Sequence, residues 1–320
     1  MNIEANTLAL TSAVKVNTSA RLHMGFFDLS GCNSKFGGLG LAIDAPCTHI
    51  SIELSEKTII DAKSSENVAN VVENLVKAFN IKQHFSLIIN QAIPAHAGLG
   101  SGTQLALAIG AGLSQLFDLQ LGISQIAAAA MRGKRSGIGI GAFKQGGFLL
   151  DAGKLSDKSP KIVLRQAFPD QWRVLLVQDS AHVGVHGELE SQAFKNLKPA
   201  QGTLRAMVCE HMMPALQRAD LLAFGAYMQD LQAYNGEYFA PIQGGHYASK
   251  DVAEVLSWLQ QNSAACVGQS SWGPTGFAIL ENQQHAETLQ NQAQLVFAAK
   301  TNISFQIVRG KNTGATVKLG

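Results

Sequence analysis

Charge is scarce in this chain. Only 15% of its 320 residues are Asp, Glu, Lys or Arg, against about 25% in an average soluble domain. The formal net charge is +2, and no basic tract is interleaved with aromatics, which excludes an electrostatic nucleic-acid surface. No apolar run approaches the roughly 20 residues of a membrane-crossing helix, so no membrane partner is expected. The N-terminus, with Glu4 near its start, has neither the basic start nor the apolar core of a secretory signal, and the expected location is cytoplasmic. Cysteine is sparse too. Cys32, Cys47, Cys209 and Cys266 are scattered, so neither a CxxC zinc pair nor a disulfide framework is available. Equally absent are a Gly-Lys-Ser/Thr phosphate loop, a dinucleotide fingerprint, a Gly-x-Ser-x-Gly elbow and any internal repeat.

What is present begins with hydrophobic residues, 46% of the chain. That is enough for a large core, and the length suits two domains of about 150 residues. The most informative stretch is Pro94-Ala95-His96-Ala97-Gly98-Leu99-Gly100-Ser101-Gly102-Thr103-Gln104. It runs straight into an apolar pattern, Leu105, Ile109, Leu113 and Leu116, at near-helical spacing. Ser101 is placed to cap that helix. Closely spaced glycines free backbone N–H groups to face a guest, and a helix N-terminus adds partial positive charge. The natural guest is a phosphate or diphosphate; the competing reading is a tight loop before a buried helix.

Along the chain, strands are expected over 14–20, 50–54, 85–89, 172–177, 277–280 and 303–308, with a strand and turn over 146–153. Helices are expected over 67–79, 124–131, 252–260 and 285–294, with helical material over 204–234 interrupted near Pro214. The polar run 154–161 marks a domain joint, which gives domains of 1–165 and 166–320. Helices mixed with strands in this order predict an α+β or split βαβ architecture.

Several polar groups suit chemistry. Arg21 and His23 alternate onto one face of the first strand. An Arg fork suits phosphate or carboxylate, and His23 suits proton transfer or orientation. Asp28 follows in a turn, where it would hold a metal-bound water or a sugar hydroxyl, or cap the turn. Arg132, Lys134 and Arg135 form the densest positive cluster, beside Ser136. His182 and His186 follow Asp179, but Gly184 and Gly187 argue against a helical metal pair. Glu190 is a candidate magnesium or hydroxyl partner. A second glycine motif, Gly268-Gln269-Ser270-Ser271-Trp272-Gly273-Pro274-Thr275-Gly276, places a tryptophan among small residues, either at a structural joint or under a flat ligand.

Together these motifs resemble the GHMP superfamily of small-molecule kinases and, more closely, the beta-ribofuranosylaminobenzene 5'-phosphate synthase family. The resemblance is carried by Arg21-Leu22-His23, Gly37-Gly38-Leu39-Gly40, Gly98-Leu99-Gly100-Ser101-Gly102-Thr103-Gln104, Arg135-Ser136-Gly137-Ile138-Gly139, Gly146-Gly147-Phe148 and the tryptophan motif, in the family's order. It implies a GHMP kinase-like two-domain fold. The N-terminal domain would be ribosomal-protein-S5-like with a left-handed crossover, and the C-terminal domain ferredoxin-like. It implies transfer of ribosyl 5-phosphate from phosphoribosyl pyrophosphate to 4-aminobenzoate or 4-hydroxybenzoate, with loss of carbon dioxide and pyrophosphate, in tetrahydromethanopterin biosynthesis. It also implies Mg2+, no ATP and a homodimer; the alternative is an ATP-dependent GHMP kinase. On this reading Arg21, His23, Asp28 and Arg135 serve catalysis. His96, Gly98, Gly100, Ser101, Gly102, Thr103, Gln104, Arg132, Ser136, Gln269, Ser270, Ser271 and Trp272 bind substrate. Glu190 and Ser101 serve the metal. Departing from the family, the 179–190 loop is histidine-rich where an arginine is expected near its glycines.

Overall fold

The structure is a computed structural model that describes residues 13–28, 36–61, 68–153, 160–185 and 203–320. Its first sheet grows from a long antiparallel pair, β1 (Val14–Phe26) and β2 (Gly38–Leu54). Val14, Val16, Ile50 and Ile52 alternate inward, as a half-buried sheet requires. The pairing shifts register between Ser19 and Arg21 and again between His23 and Gly25. Arg21-Leu22-His23 therefore lies between two irregularities, and such bulges re-aim side chains. β3 (Ile59–Asp61) and β4 (Phe85–Gln91) extend one side, while β5 (Phe148–Asp151) and β6 (Ile162–Gln166) extend from β2.

Four helices cover this sheet. α1 (Val68–Ala78) buries Val68, Val71, Val72 and Leu75, a 3–4 repeat. α2 (Ser101–Leu116) is buried along most of its length, and α3 (Ile123–Ala129) and α4 (Ile138–Gln145) pack beside it. α4 was not legible in the sequence, because Gly139 and Gly141 lower its intrinsic propensity and packing overrides them. The cap of α2 is also a correction: Gly100, in the left-handed region, precedes the helix, and Ser101 is its first residue.

The second sheet comprises β7 (Arg173–Asp179), β8 (Cys266–Gln269), β9 (Gly276–Leu280) and β10 (Ile303–Val308). Its order, β10-β7-β9-β8, is antiparallel throughout. With helices after the first and third of these strands, that is the ferredoxin-like arrangement. A π-helical stretch, Met207–Met212, leads into α5 (Met213–Gln217), followed by α6 (Leu221–Gln243), α7 (Lys250–Gln261) and α8 (Gln283–Val296). The interruption expected near Pro214 falls at residues 218–220 instead. Pro214 sits in the first turn of α5, where its missing N–H does no harm.

The last strand, β11 (Thr316–Leu319), returns to the first sheet and pairs with β1, Val14 opposite Leu319. A division at 165/166 thus assigns the final strand to the wrong sheet. The two sheets also share a core: Leu22, Met24, Leu39 and Leu41 pack in one cluster with Leu176, Phe277, Phe224 and Leu231. Among the described residues, no helix is long and apolar enough to cross a membrane.

Candidate active site

Three motifs distant in sequence are tied together at one point. The Arg21 backbone N–H donates to the Leu99 carbonyl at 3.1 Å. Arg21 Nη1 donates to the Gly98 carbonyl at 2.6 Å, and Ser270 Oγ donates to the same oxygen at 2.7 Å. Ser270 Oγ in turn accepts from the His23 N–H at 3.0 Å, and the Ser271 N–H donates to the His23 carbonyl at 2.9 Å. Gly98 allows this approach. Its φ is +75°, and a Cβ there would lie 2.3 Å from the Ser270 carbonyl oxygen; only glycine fits both conditions.

Beside this junction, between the domains, opens a cavity of about 700 Å³. One part of its lining is cationic: Arg21, Arg132, Lys134 and Arg135, with Thr103 from the first turn of α2. The Arg132 guanidinium stands over that turn, since a Cβ on Gly102 would lie 3.4 Å from its Nη1. Burial holds the Arg132 pKa below its ordinary value. The other part is aromatic. Phe26 lies 5.4 Å from Phe36 and 6.2 Å from Phe239, and Phe239 meets Trp272 edge-on at 4.8 Å. A lining that carries both cationic and clustered aromatic side chains suits a ligand, or a pair of ligands, with the same two chemistries.

A buried carboxylate braces the cationic segment. Asp151 accepts from Ser136 Oγ at 2.6 Å, from the N–H of Gly137 at 2.8 Å, from Gly153 at 2.9 Å and from Gly38 at 3.0 Å. Burial pushes its carboxyl pKa up against those four bonds, which pull it down. Sequence reasoning missed this residue. Its only signal was an acid ending an apolar strand between two glycine motifs.

His23 lines the cavity and is buried. Burial foremost, then the neighbouring Arg21 charge, take its pKa down to about 3. Burial thus favours the neutral imidazole at neutral pH. Its Nε2 is buried without a hydrogen-bond partner. The linkage has a definite sign. Between pH 6.5 and about 3 the unfolded chain takes up a proton that the folded protein refuses, so stability falls as pH falls through that window. The melting temperature of the wild type should drop on acidification from pH 7 to 5, and His23→Leu should flatten that slope. Parallel profiles would show that His23 does not set it.

The remaining sequence candidates divide. Arg135, Ser136, Thr103, Arg132, Gln269, Ser271 and Trp272 line the cavity with Arg21 and His23. Asp28 does not; its carboxylate binds Arg205 Nη2 at 2.7 Å across the domain joint. Gln104 is buried away from the cavity, accepting from Thr18 Oγ1 at 2.6 Å and donating to the Gly139 carbonyl at 2.8 Å. Gly98, Gly100 and Ser270 shape the junction rather than line the space. Ser101 and Gly102 open α2 beneath Arg132, and exposed His96 accepts from the Gly184 N–H through its carbonyl at 3.2 Å. Gln269 lines the cavity with its side chain committed to Gln243, Ser271 and Ala248. Sequence reasoning also missed Phe26, Phe36 and Phe239, which read as ordinary core residues.

Glu190 and His186 lie outside the described residues. Among the described residues no group of three His, Cys, Asp or Glu is placed to hold a metal, and no carboxylate lines the cavity. Magnesium usually takes one or two carboxylates beside phosphate oxygens. The described lining, of which Ser101 is not a part, does not fit a protein-held magnesium.

Comparison with known proteins points one way. A family model described as GHMP kinases N terminal domain matches residues 66–147, and one described as GHMP kinases C terminal matches residues 212–299. The beta-ribofuranosylphenol 5'-phosphate synthase of Methanocaldococcus jannaschii is 33% identical over 301 residues, covering 82% of this chain and 88% of that protein. The protein of the same name from Archaeoglobus fulgidus is 28% identical over 325 residues, covering 96% and 100%. Among solved structures, the galactokinase of Lactococcus lactis superposes with a TM-score of 0.71 at 13% identity, covering 95% of each chain, which is a likeness of fold.

Proposed function

The chain belongs to the beta-ribofuranosylphenol 5'-phosphate synthase family, and from that premise we propose that it is a decarboxylating phosphoribosyl transferase of tetrahydromethanopterin biosynthesis. It joins the ribosyl 5-phosphate of phosphoribosyl pyrophosphate to the carboxylate-bearing ring carbon of 4-aminobenzoate or 4-hydroxybenzoate. The observation that carries this reading is that one cavity is lined both by four cationic side chains and by an aromatic cluster. Diphosphate departs from the anomeric carbon and takes the bonding electrons with it. Arg21, Arg132, Lys134 and Arg135 are fixed positive charges that stabilise the developing anion. The ring carbon, made electron-rich by its para substituent, supplies the electron pair for the new C–C bond on the opposite face. The C–CO2 bond then breaks, carbon dioxide leaves, and its electrons restore aromaticity. Phe26, Phe36, Phe239 and Trp272 hold the flat ring and exclude water from the sugar cation.

Purified protein given phosphoribosyl pyrophosphate and carboxyl-labelled 4-aminobenzoate or 4-hydroxybenzoate, with magnesium and without ATP, should release labelled carbon dioxide and diphosphate in equal amounts. Formation of ADP from ATP in the presence of a small alcohol, with no label released, would reverse the reading in favour of a kinase.

A further inference from the structure

One face of α6 is polar where a packed helix face is normally apolar. Gln229, Gln232 and Asn235 follow one another at steps of three along it. Gln232 and Asn235 are buried, and Gln229 is half-buried. Their amides take the place of a neighbouring strand on both sheets. β8 is an edge of the second sheet, and two of its N–H groups are met in turn. The Val267 N–H donates to Gln229 Oε1 at 3.1 Å, and the Gln269 N–H to Gln232 Oε1 at 2.9 Å. On the first sheet, β11 pairs with β1 only as far as Asn17. Further along β1, Gln232 Nε2 donates to the Met24 carbonyl at 2.6 Å. Asn235 binds both main-chain groups of Phe26. Its Oδ1 accepts from the N–H and its Nδ2 donates to the carbonyl, each at 2.9 Å.

Two glycines make room for these amides. A Cβ on Gly268 would lie 2.4 Å from Gln232 Cδ, and one on Gly25 would lie 3.0 Å from Asn235 Nδ2. Gly268 is the first glycine of the tryptophan motif, so part of that motif exists to admit the helix.

One turn beyond Asn235, the same helix carries Phe239. Its ring centroid lies 6.2 Å from that of Phe26 and 4.8 Å from that of Trp272. Asn235 and these three aromatics line the one cavity. The helix therefore grips Phe26 by its main chain and supplies the ring beside it. We propose that Asn235 is a positioning residue for the aromatic substrate. By fixing both main-chain groups of Phe26 against α6, it sets the spacing of Phe26 from Phe239 and Trp272, and with it the slot that takes a flat benzoate ring. Contacts between aromatic rings depend on offset and angle, so a shifted wall loses them. The inference rests on the function proposed above for the identity of the ring.

The test uses the full chain and unreactive probes. Without the ribosyl donor neither benzoate reacts, so 4-aminobenzoate and 4-hydroxybenzoate are titrated by calorimetry in the presence of saturating inorganic diphosphate, and diphosphate is titrated alone. Asn235→Ala should bind the benzoate that wild type binds about 3- to 10-fold more weakly, and diphosphate within about twofold of wild type. Gln229→Ala is the control. It loses a bond of the same polar row, to Val267, but Gln229 is not part of the cavity lining. It should melt lower than wild type and keep both affinities. Asn235→Ser is read in place of Asn235→Ala if the latter does not fold. A fall in binding stoichiometry with unchanged benzoate affinity would make Asn235 a part of the framework only and overturn the assignment. Equal weakening of benzoate and diphosphate would do the same, as would equal weakening of benzoate in Gln229→Ala. So would failure of both Asn235 variants to fold, or a wild type that binds neither benzoate. If the dependence on Asn235 appears but no carbon dioxide is released once phosphoribosyl pyrophosphate is added, the Asn235 assignment stands and the proposed reaction falls.

Discussion

Gly98→Ala should abolish turnover and lower the melting temperature by about 10 °C, whereas Gly102→Ala should fold and melt like wild type. Both glycines belong to the same loop and look equivalent in the sequence. At Gly98 an added methyl would enter the space of the Ser270 carbonyl oxygen, 2.3 Å away, and of the Gly273 carbonyl oxygen, 3.0 Å away, on a backbone with φ of +75°. Neither neighbour is a flexible side-chain end. The left-handed conformation alone costs an L-residue about 1–2 kcal/mol. Relieving the collision means separating the second and third glycine motifs, which also breaks the bonds from Arg21 and Ser270 to the Gly98 carbonyl. A total of roughly 3–5 kcal/mol corresponds to that shift in melting temperature for a chain of this size. At Gly102 the nearest atom is the end of Arg132, 3.4 Å away, in ordinary contact. Thermal unfolding of the two variants side by side checks the claim. A Gly98→Ala protein that melts with wild type would remove the junction from its central place.

Arg132→Ala should raise the KM for phosphoribosyl pyrophosphate by about 100-fold and leave that for the benzoate within about twofold. The guanidinium stands above the first turn of α2, so its charge and the helix N-terminus act on the same spot. It is half-buried, which partly desolvates it, and truncating such a group opposite an anion typically costs about 2–5 kcal/mol. Arg132→Lys keeps the charge but loses the planar fork and should recover only part of the loss. Steady-state kinetics with each substrate varied in turn decides it. A parallel rise in both KM values would assign Arg132 to the framework instead of the donor.

Local pattern made much of this protein legible. The 3–4 spacing of Val68, Val71, Val72 and Leu75 defines α1, and the alternation of Ile50 and Ile52 defines part of β2, because burial of one face imposes its period on the residues that form it. The glycine loop before α2, the tryptophan motif and their order along the chain were enough to point to the family. Arg21, Arg132, Arg135 and Trp272 were identifiable as candidates because charge and large aromatics are conspicuous in a chain that has few of either.

Only the tertiary structure decided which candidates share a space. Asp28 and Arg205 are 177 positions apart, and they pair at the domain joint, with Asp28 outside the described cavity lining. Gln104 belongs to the glycine motif, yet its side chain bonds to Thr18 and Gly139 in the interior. Asp151 became important only when Gly38, Ser136 and Gly137 converged on it. The environment of His23 has the same origin: burial foremost, then the Arg21 charge, lower its pKa and favour the neutral ring. Periodicity reports which face of an element is buried. The partner across that face is set by long-range pairing, and the protonation of a side chain is set by the dielectric and charges that the pairing encloses.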